Sequence, residues 1–233
     1  YKSIYESFIH AGAMNECKVK VIPIHAEELD SSYTALESIL GKLDGVLVAP
    51  GFGERGIAGK IKAIEFVRKN KIPFFGICLG MQCAVVEFAL NVAGIEHASS
   101  TEVNPETPEP VIDMMEEQKK ITDKGGTMRL GAYACELKKK TKAAVAYGGL
   151  KISERHRHRY EFNNAYLDKL TTAGLVISGV NPQSGLVEII ELADHPWFVG
   201  VQFHPELKST VENPHPLFVH FVKAALTHKK SKV

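Results

Sequence analysis

The run Pro73-Phe74-Phe75-Gly76-Ile77-Cys78-Leu79-Gly80-Met81-Gln82 is an apolar strand that breaks at a cysteine and resumes as an amphipathic segment. A strand turning this abruptly into a helix crowds main chain against main chain on either side of the turn. Glycine is what such positions accept, and Gly76 and Gly80 flank the cysteine. Gly76-Ile77-Cys78-Leu79-Gly80 therefore has the shape of a G-x-S-x-G nucleophile elbow, with sulfur in place of oxygen. The turn holds the thiol at a helix N-terminus, where the dipole and free N–H groups favour thiolate. The Leu79 N–H points toward a reacting carbonyl and supplies half of an oxyanion hole. The plainer alternative is a buried structural cysteine. Cys83, inside the helix and without flanking glycines, reads as packing.

A base for that thiol lies far downstream. The strand Trp197-Phe198-Val199-Gly200-Val201-Gln202-Phe203 ends in His204-Pro205-Glu206. In extended chain His204 and Glu206 share a face, so the carboxylate can hold the imidazole in the tautomer that accepts the thiol proton. Pro205 restricts His204 to extended geometry. The other half of the hole is sought in Val46-Leu47-Val48-Ala49-Pro50-Gly51-Phe52-Gly53, a second apolar strand ending in a glycine turn. Pro50 has no N–H, so Gly51 is the donor; an ordinary strand-to-helix turn is the alternative. No G-x-G-x-x-G or G-x-x-x-x-G-K-[ST] pattern marks this loop as a nucleotide site.

Around these motifs the pattern alternates, as a mostly parallel central sheet flanked by helices does. Strands are expected at 18–24, 45–49 and 73–77, and helices at 3–11, 33–40, 59–69 and 79–92. The second half adds strands at 132–137, 153–162, 175–179, 186–192 and 197–203, then a closing helix at 216–226. Segments 104–110 and 116–124 read as surface loop. With 233 residues, 45% of them hydrophobic, one domain can bury a full core. A formal net charge of +1 gives no reason to expect nucleic acid or an anionic membrane. No apolar run approaches the roughly 20 residues of a membrane span. Four scattered cysteines without a CxxC suggest neither a disulfide framework nor zinc, and point to the cytoplasm. The start at Tyr1, in what reads as mid-helix, suggests a piece of a longer protein.

Glu154-Arg155-His156-Arg157-His158-Arg159-Tyr160-Glu161 alternates strictly, with Arg155, Arg157 and Arg159 on one face and His156, His158 and Tyr160 on the other. Such a strand can bind a carboxylate through arginine, bind phosphate, hold a metal through its histidines, or simply be a solvated edge guarded by charge. The metal reading is the weakest, because no cysteine or carboxylate completes a ligand set.

Taken together, the elbow, the Gly125-Gly126-Thr127-Met128-Arg129-Leu130-Gly131 run, the arginine-histidine run and His195-Pro196-Trp197-Phe198 through Gln202-Phe203-His204-Pro205-Glu206 resemble class I glutamine amidotransferases. The match is narrower still with the glutaminase domains of CTP synthases, on the middle two motifs. The resemblance implies a class I glutamine amidotransferase-like α/β fold with additional antiparallel strands. It implies one glutaminase domain over residues 1–233, without the N-terminal synthase domain and without a strand expected before Tyr1. It further implies that Cys78 attacks the glutamine side-chain amide, His204 acts as base and then acid, and Glu206 orients it. Gly51 and Leu79 supply oxyanion amides, Gln82 and Glu102 hold the α-amino group, and Arg159 pairs with the α-carboxylate. The partners implied are L-glutamine and a synthase domain of the same polypeptide, through which any homo-oligomer forms. No cofactor or metal is expected in this domain; ATP, Mg and GTP belong to the whole enzyme. Where the family has Pro-Gly-Gly-Phe-Gly, this chain has Ala49-Pro50-Gly51-Phe52-Gly53, a proline replacing one glycine but leaving the donor glycine in place.

Overall fold

The computed structural model describes residues 1–29, 33–114 and 128–232. Its strands are β1 (Val46–Val48), β2 (Phe74–Ile77), β3 (Ala98–Ser100), β4 (Glu109–Met114), β5 (Arg129–Leu137), β6 (Lys151–His158), β7 (Tyr160–Phe162), β8 (Leu175–Val180), β9 (Val187–Leu192) and β10 (Phe198–Val201). Its α-helices are α1 (Lys2–Met14), α2 (Tyr33–Leu40), α3 (Ile57–Lys69), α4 (Leu79–Asn91), α5 (Lys142–Tyr147), α6 (Leu167–Thr172) and α7 (Pro216–Ser231).

Seven strands form one sheet in the order β1-β2-β10-β9-β8-β5-β6. β1, β2 and β10 run parallel and form one end of it, and the four further strands are antiparallel additions. Every residue of β2 and β10 is buried, which is why both read as continuous apolar runs: helices cover both faces. The period of two sorts their side chains. Phe74 and Phe198 face one core, with α2, α3 and α4. Phe75, Ile77, Val199 and Val201 face the other, with α1 and α7. Rings lock each side, Phe74 on Phe198 at 4.4 Å and Phe75 edge-on to Phe218 at 5.3 Å.

This topology explains how distant loops meet. β1, β2 and β10 are parallel neighbours, with Val48 opposite Gly76 and Val201 opposite Ile77. The loops after them, beginning near residues 49, 78 and 202, therefore leave the same edge side by side, at the carboxyl ends where α/β sheets place their sites.

Three expectations are corrected. Segment 18–24 joins neither sheet, and a strand without a ladder partner is not one; Val19 and Val21 instead border, with Val46 and Val48 of β1, a groove of about 850 Å³. The expected strand at 153–162 breaks at Arg159, and β7 leaves to join β3 and β4 in a second, three-stranded sheet. Segment 104–110 is only partly loop, since β4 begins at Glu109 and Thr107 is buried. β3, β4, α5 and α6 were not anticipated. The expected loop at 116–124 and the residues Gly125, Gly126 and Thr127 lie outside the described residues.

Candidate active site

The elbow is strained as a nucleophile turn must be. Cys78 has φ 51° and ψ −104°, a conformation costing a non-glycine residue about 1–3 kcal/mol. The turn is held by Cys78 N–H donating to Val201 O (2.7 Å) and Gln82 N–H donating to Cys78 O (3.1 Å). Neither flanking glycine has room for a side chain. A Cβ on Gly80 would lie 2.2 Å from Val48 O, and one on Gly76 2.8 Å from the Gly80 carbonyl. Gly51 abuts the same turn, its Cβ direction meeting Leu79 Cδ2 at 3.2 Å.

The thiol itself is 2% exposed, and burial pushes it up to about 12. The Leu79 amide pulls the other way, while the carboxylates of Glu206, Glu102 and Glu161 push further up. The expectation of a resting thiolate is thus overturned. The helix terminus does act on the sulfur, but desolvation outweighs it.

His204 Nδ1 lies 2.7 Å from Glu206 Oε1. A carboxylate accepts, so Nδ1 carries the proton and Nε2 presents its lone pair. That Nε2 is buried and makes no hydrogen bond among the described residues. The two side chains do not meet along an extended strand, as the sequence suggested; Pro205–Leu207 form a 3-10 turn that folds Glu206 back. The main chain is fixed by His204 N–H donating to Arg155 O (2.8 Å). No hydrogen bond joins Nε2 to the sulfur; the sulfur's side-chain contact is Gln202 Nε2 at 3.7 Å.

Gly51, Cys78, Gln82, Glu102 and Arg159 line one cavity of about 20 Å³, together with Phe52, His158 and Tyr160. That holds little more than a water. Glu102 is held there by Gly53 N–H (2.8 Å), and Gln82 Nε2 donates to Tyr160 O (2.8 Å) and Gln202 Oε1 (3.2 Å). Leu79, His204 and Glu206 sit outside the cavity lining. The arginine-histidine strand proves divided in role. Arg155 and Arg157 face solvent on the sheet edge, His156 and His158 face inward, and the break turns Arg159 to the cavity. The described residues contain no cluster of histidine, cysteine and carboxylates fit for a metal.

Beneath the cavity lies a charged cluster that reading the sequence missed. Arg129 reaches Glu188 (2.6 Å) and Glu161 (3.2 Å), and His156 and His158 bond each other (2.8 Å) and approach the same carboxylates. Burial raises Glu161 to about 8 and Glu188 to about 7, against the pull of Arg129. A carboxyl raised on folding holds its proton longer in the folded than in the unfolded chain, so stability falls as pH rises through the folded value. The thermal midpoint should therefore decline from about pH 6.5 to about pH 8, and Glu161→Gln should flatten the decline. A midpoint constant over that window would show that neither carboxyl keeps its proton.

Comparison with known proteins came out as follows. The family model "Glutamine amidotransferase class-I" matches residues 1–224. The chain is 65% identical over 232 residues to a CTP synthase of Cytophaga hutchinsonii, covering 100% of this chain and 43% of that protein. It is 64% identical over 231 residues to a CTP synthase of Flavobacterium johnsoniae, covering 99% and 43%. It thus spans less than half the length of these relatives. The glutaminase domain of Trypanosoma brucei CTPS with bound acivicin superposes with a TM-score of 0.89 at 37% identity, over 97% of this chain and 88% of that one. No described helix is long and apolar enough to cross a membrane. With its elbow, its histidine-carboxylate pair and a family match running nearly end to end, the chain belongs to the class-I glutamine amidotransferases.

Proposed function

We propose that this chain hydrolyses L-glutamine to glutamate and ammonia through a thioester on Cys78. The observation that carries the reading is a strained, buried cysteine whose sulfur feels the Glu206 carboxylate, the same carboxylate that lies 2.7 Å from His204 Nδ1. In the first half-reaction His204 Nε2 takes the thiol proton and sulfur attacks the side-chain amide carbon. The amides of Leu79 and Gly51 receive the oxyanion. The C–N bond then breaks as His204 returns the proton to nitrogen, and ammonia leaves. In the second, His204 deprotonates a water that attacks the thioester, and glutamate departs as the thiol is restored. Glu102 and Gln82 receive the ammonium of the substrate and Arg159 its carboxylate, because a zwitterion needs one anionic and one cationic partner.

The relatives' names extend the reading. Ammonia passes to a synthase domain of the same polypeptide, which uses it with ATP and Mg to aminate UTP to CTP while GTP stimulates the hydrolysis. None of that chemistry belongs to the residues described, which form a single glutaminase domain.

Acivicin, a glutamine analogue, tests the site directly. One adduct on Cys78 is expected, and none in Cys78→Ala; label on Cys83 or Cys135 instead, or turnover of γ-glutamyl peptides but not glutamine, would overturn it. Glu102→Ala and Arg159→Ala should each raise the KM for glutamine about ten- to a hundredfold with a smaller change in kcat, the loss of a charged hydrogen bond. If Arg159→Ala left the dependence on glutamine concentration unchanged, Arg159 would have no part in binding.

A further inference from the structure

Gln202 lies between the last residue of β10 and the catalytic turn, and it is wholly buried. Its main chain is pinned by its N–H donating to Glu188 O at 2.9 Å. Its side chain is pinned by a chain of contacts whose direction can be worked out from chemistry alone. Tyr160 O is a carbonyl and can only accept, so the Gln82 atom 2.8 Å from it is the amide nitrogen. That nitrogen lies 3.2 Å from Gln202, and two amide nitrogens cannot bond one another. Gln202 therefore turns its oxygen to Gln82 and its NH₂ to the Cys78 sulfur, 3.7 Å away.

We propose that Gln202 is a catalytic residue of the glutaminase reaction, its carboxamide N–H held as a hydrogen-bond donor to the Cys78 sulfur. The proposal rests on the reading of Cys78 as nucleophile. A thiol sulfur accepts weakly and a thiolate strongly, and bonds to an ionised acceptor are about twice as strong as neutral ones. The contact therefore tightens as the proton leaves, and stabilisation that grows along the reaction is what accelerates it.

The surroundings make such a donor necessary. Glu206 from the turn after β10, Glu102 from the loop after β3 and Glu161 from β7 all bear on the sulfur and oppose its ionisation, as burial does. The histidine of that turn, His204, takes the proton. His158 at the end of β6 and Arg159 beside it face the same cavity. Against the burial and the carboxylates, the uncharged groups aimed at the sulfur are the Leu79 amide at the start of α4 and the Gln202 carboxamide. The same chain joins substrate and nucleophile. With its nitrogen engaged twice, Gln82 has its oxygen left to offer the ammonium of glutamine, so an amide that holds the substrate also holds the donor on the sulfur.

The test is the pH profile of iodoacetamide alkylation at Cys78 in the 233-residue chain, followed on the Cys78 peptide by mass spectrometry. Half-exposed Cys17 serves as the internal reference. Gln202→Met keeps the side-chain length and removes the donor. It should slow alkylation of Cys78 about tenfold at neutral pH, the worth of one hydrogen bond to a charged group, with the profile displaced to alkaline pH and Cys17 unchanged. Gln202→Glu puts a carboxyl group in the donor's place and should slow it further. If Gln202→Met fails to fold, Gln82→Met carries the test, since it frees the Gln202 amide to rotate and should also slow the reaction. Profiles that coincide with wild type, or move to acid pH, would overturn the proposal while leaving Cys78 a nucleophile. A wild-type Cys78 that resists the reagent throughout would remove the nucleophile and this proposal together.

Discussion

His204→Ala is expected to reduce glutamine turnover at neutral pH by at least about a thousandfold while leaving glutamine binding largely intact. The size follows from the sulfur. With its ionisation pushed up by burial and by the neighbouring carboxylates, little of the sulfur is thiolate at pH 7, so attack depends on a base that removes the proton as the bond forms. His204 is equipped for that, because Glu206 fixes its proton on Nδ1 and leaves Nε2 bare. Without the imidazole the reaction must draw on the free thiolate fraction, and the residual rate should rise about tenfold per pH unit. Steady-state kcat and KM measured against pH check both parts. Turnover within tenfold of wild type would dismiss His204 as the base, and a rise in KM alone would make it a binding residue.

Much of this arrangement was legible in the sequence, for physical reasons that also explain the failures. β2 and β10 are buried on both faces, so their residues are apolar without interruption and both strands stand out. The elbow stands out because one of its glycines answers to a clash within a few residues, Gly76 having no room for a side chain against the Gly80 carbonyl. His204 and Glu206 are two residues apart, and their pairing survives even though a turn, not a strand, brings it about. What escaped notice depends on pairing across long separations. Segment 18–24 has the apolar alternation of a strand, but strandhood lies in the partner. Gln202 is a single polar residue near the end of an apolar run until Gln82 and Cys78 are brought beside it. The thiolate was expected from the local helix terminus. The carboxylates that oppose it come from β7, the loop after β3 and the turn after β10. Arg129 stood inside a recognised motif, yet its partners Glu161 and Glu188 are 32 and 59 positions away.

That arginine carries the second large effect. Arg129→Met should destabilise the fold by about 3–5 kcal/mol, the usual consequence of removing one side of a buried ion pair. Glu161 and Glu188 are 2% and 0% exposed, and Arg129 is the cation bonded to both; its guanidinium also lies 4.2 Å over the Tyr133 ring. Deprived of it, the carboxylates can only take up protons or draw in water, so the loss should be greatest at alkaline pH and shrink as pH falls through their raised values. Arg129→Met combined with Glu188→Gln should recover part of the stability, because one fewer charge is then left buried without a counter-ion. Urea unfolding of the three proteins at neutral and mildly acidic pH decides the matter. A loss below about 1 kcal/mol, or one indifferent to pH, would mean that the cluster is solvated and its charges are not needed to compensate one another. The consequences reach the reacting centre as well. Glu161 is one of the carboxylates bearing on Cys78, and its neighbour Tyr160 supplies the carbonyl that orients Gln82. A variant that folds but lets β7 shift should therefore change the ionisation of the thiol before it changes the shape of the sheet.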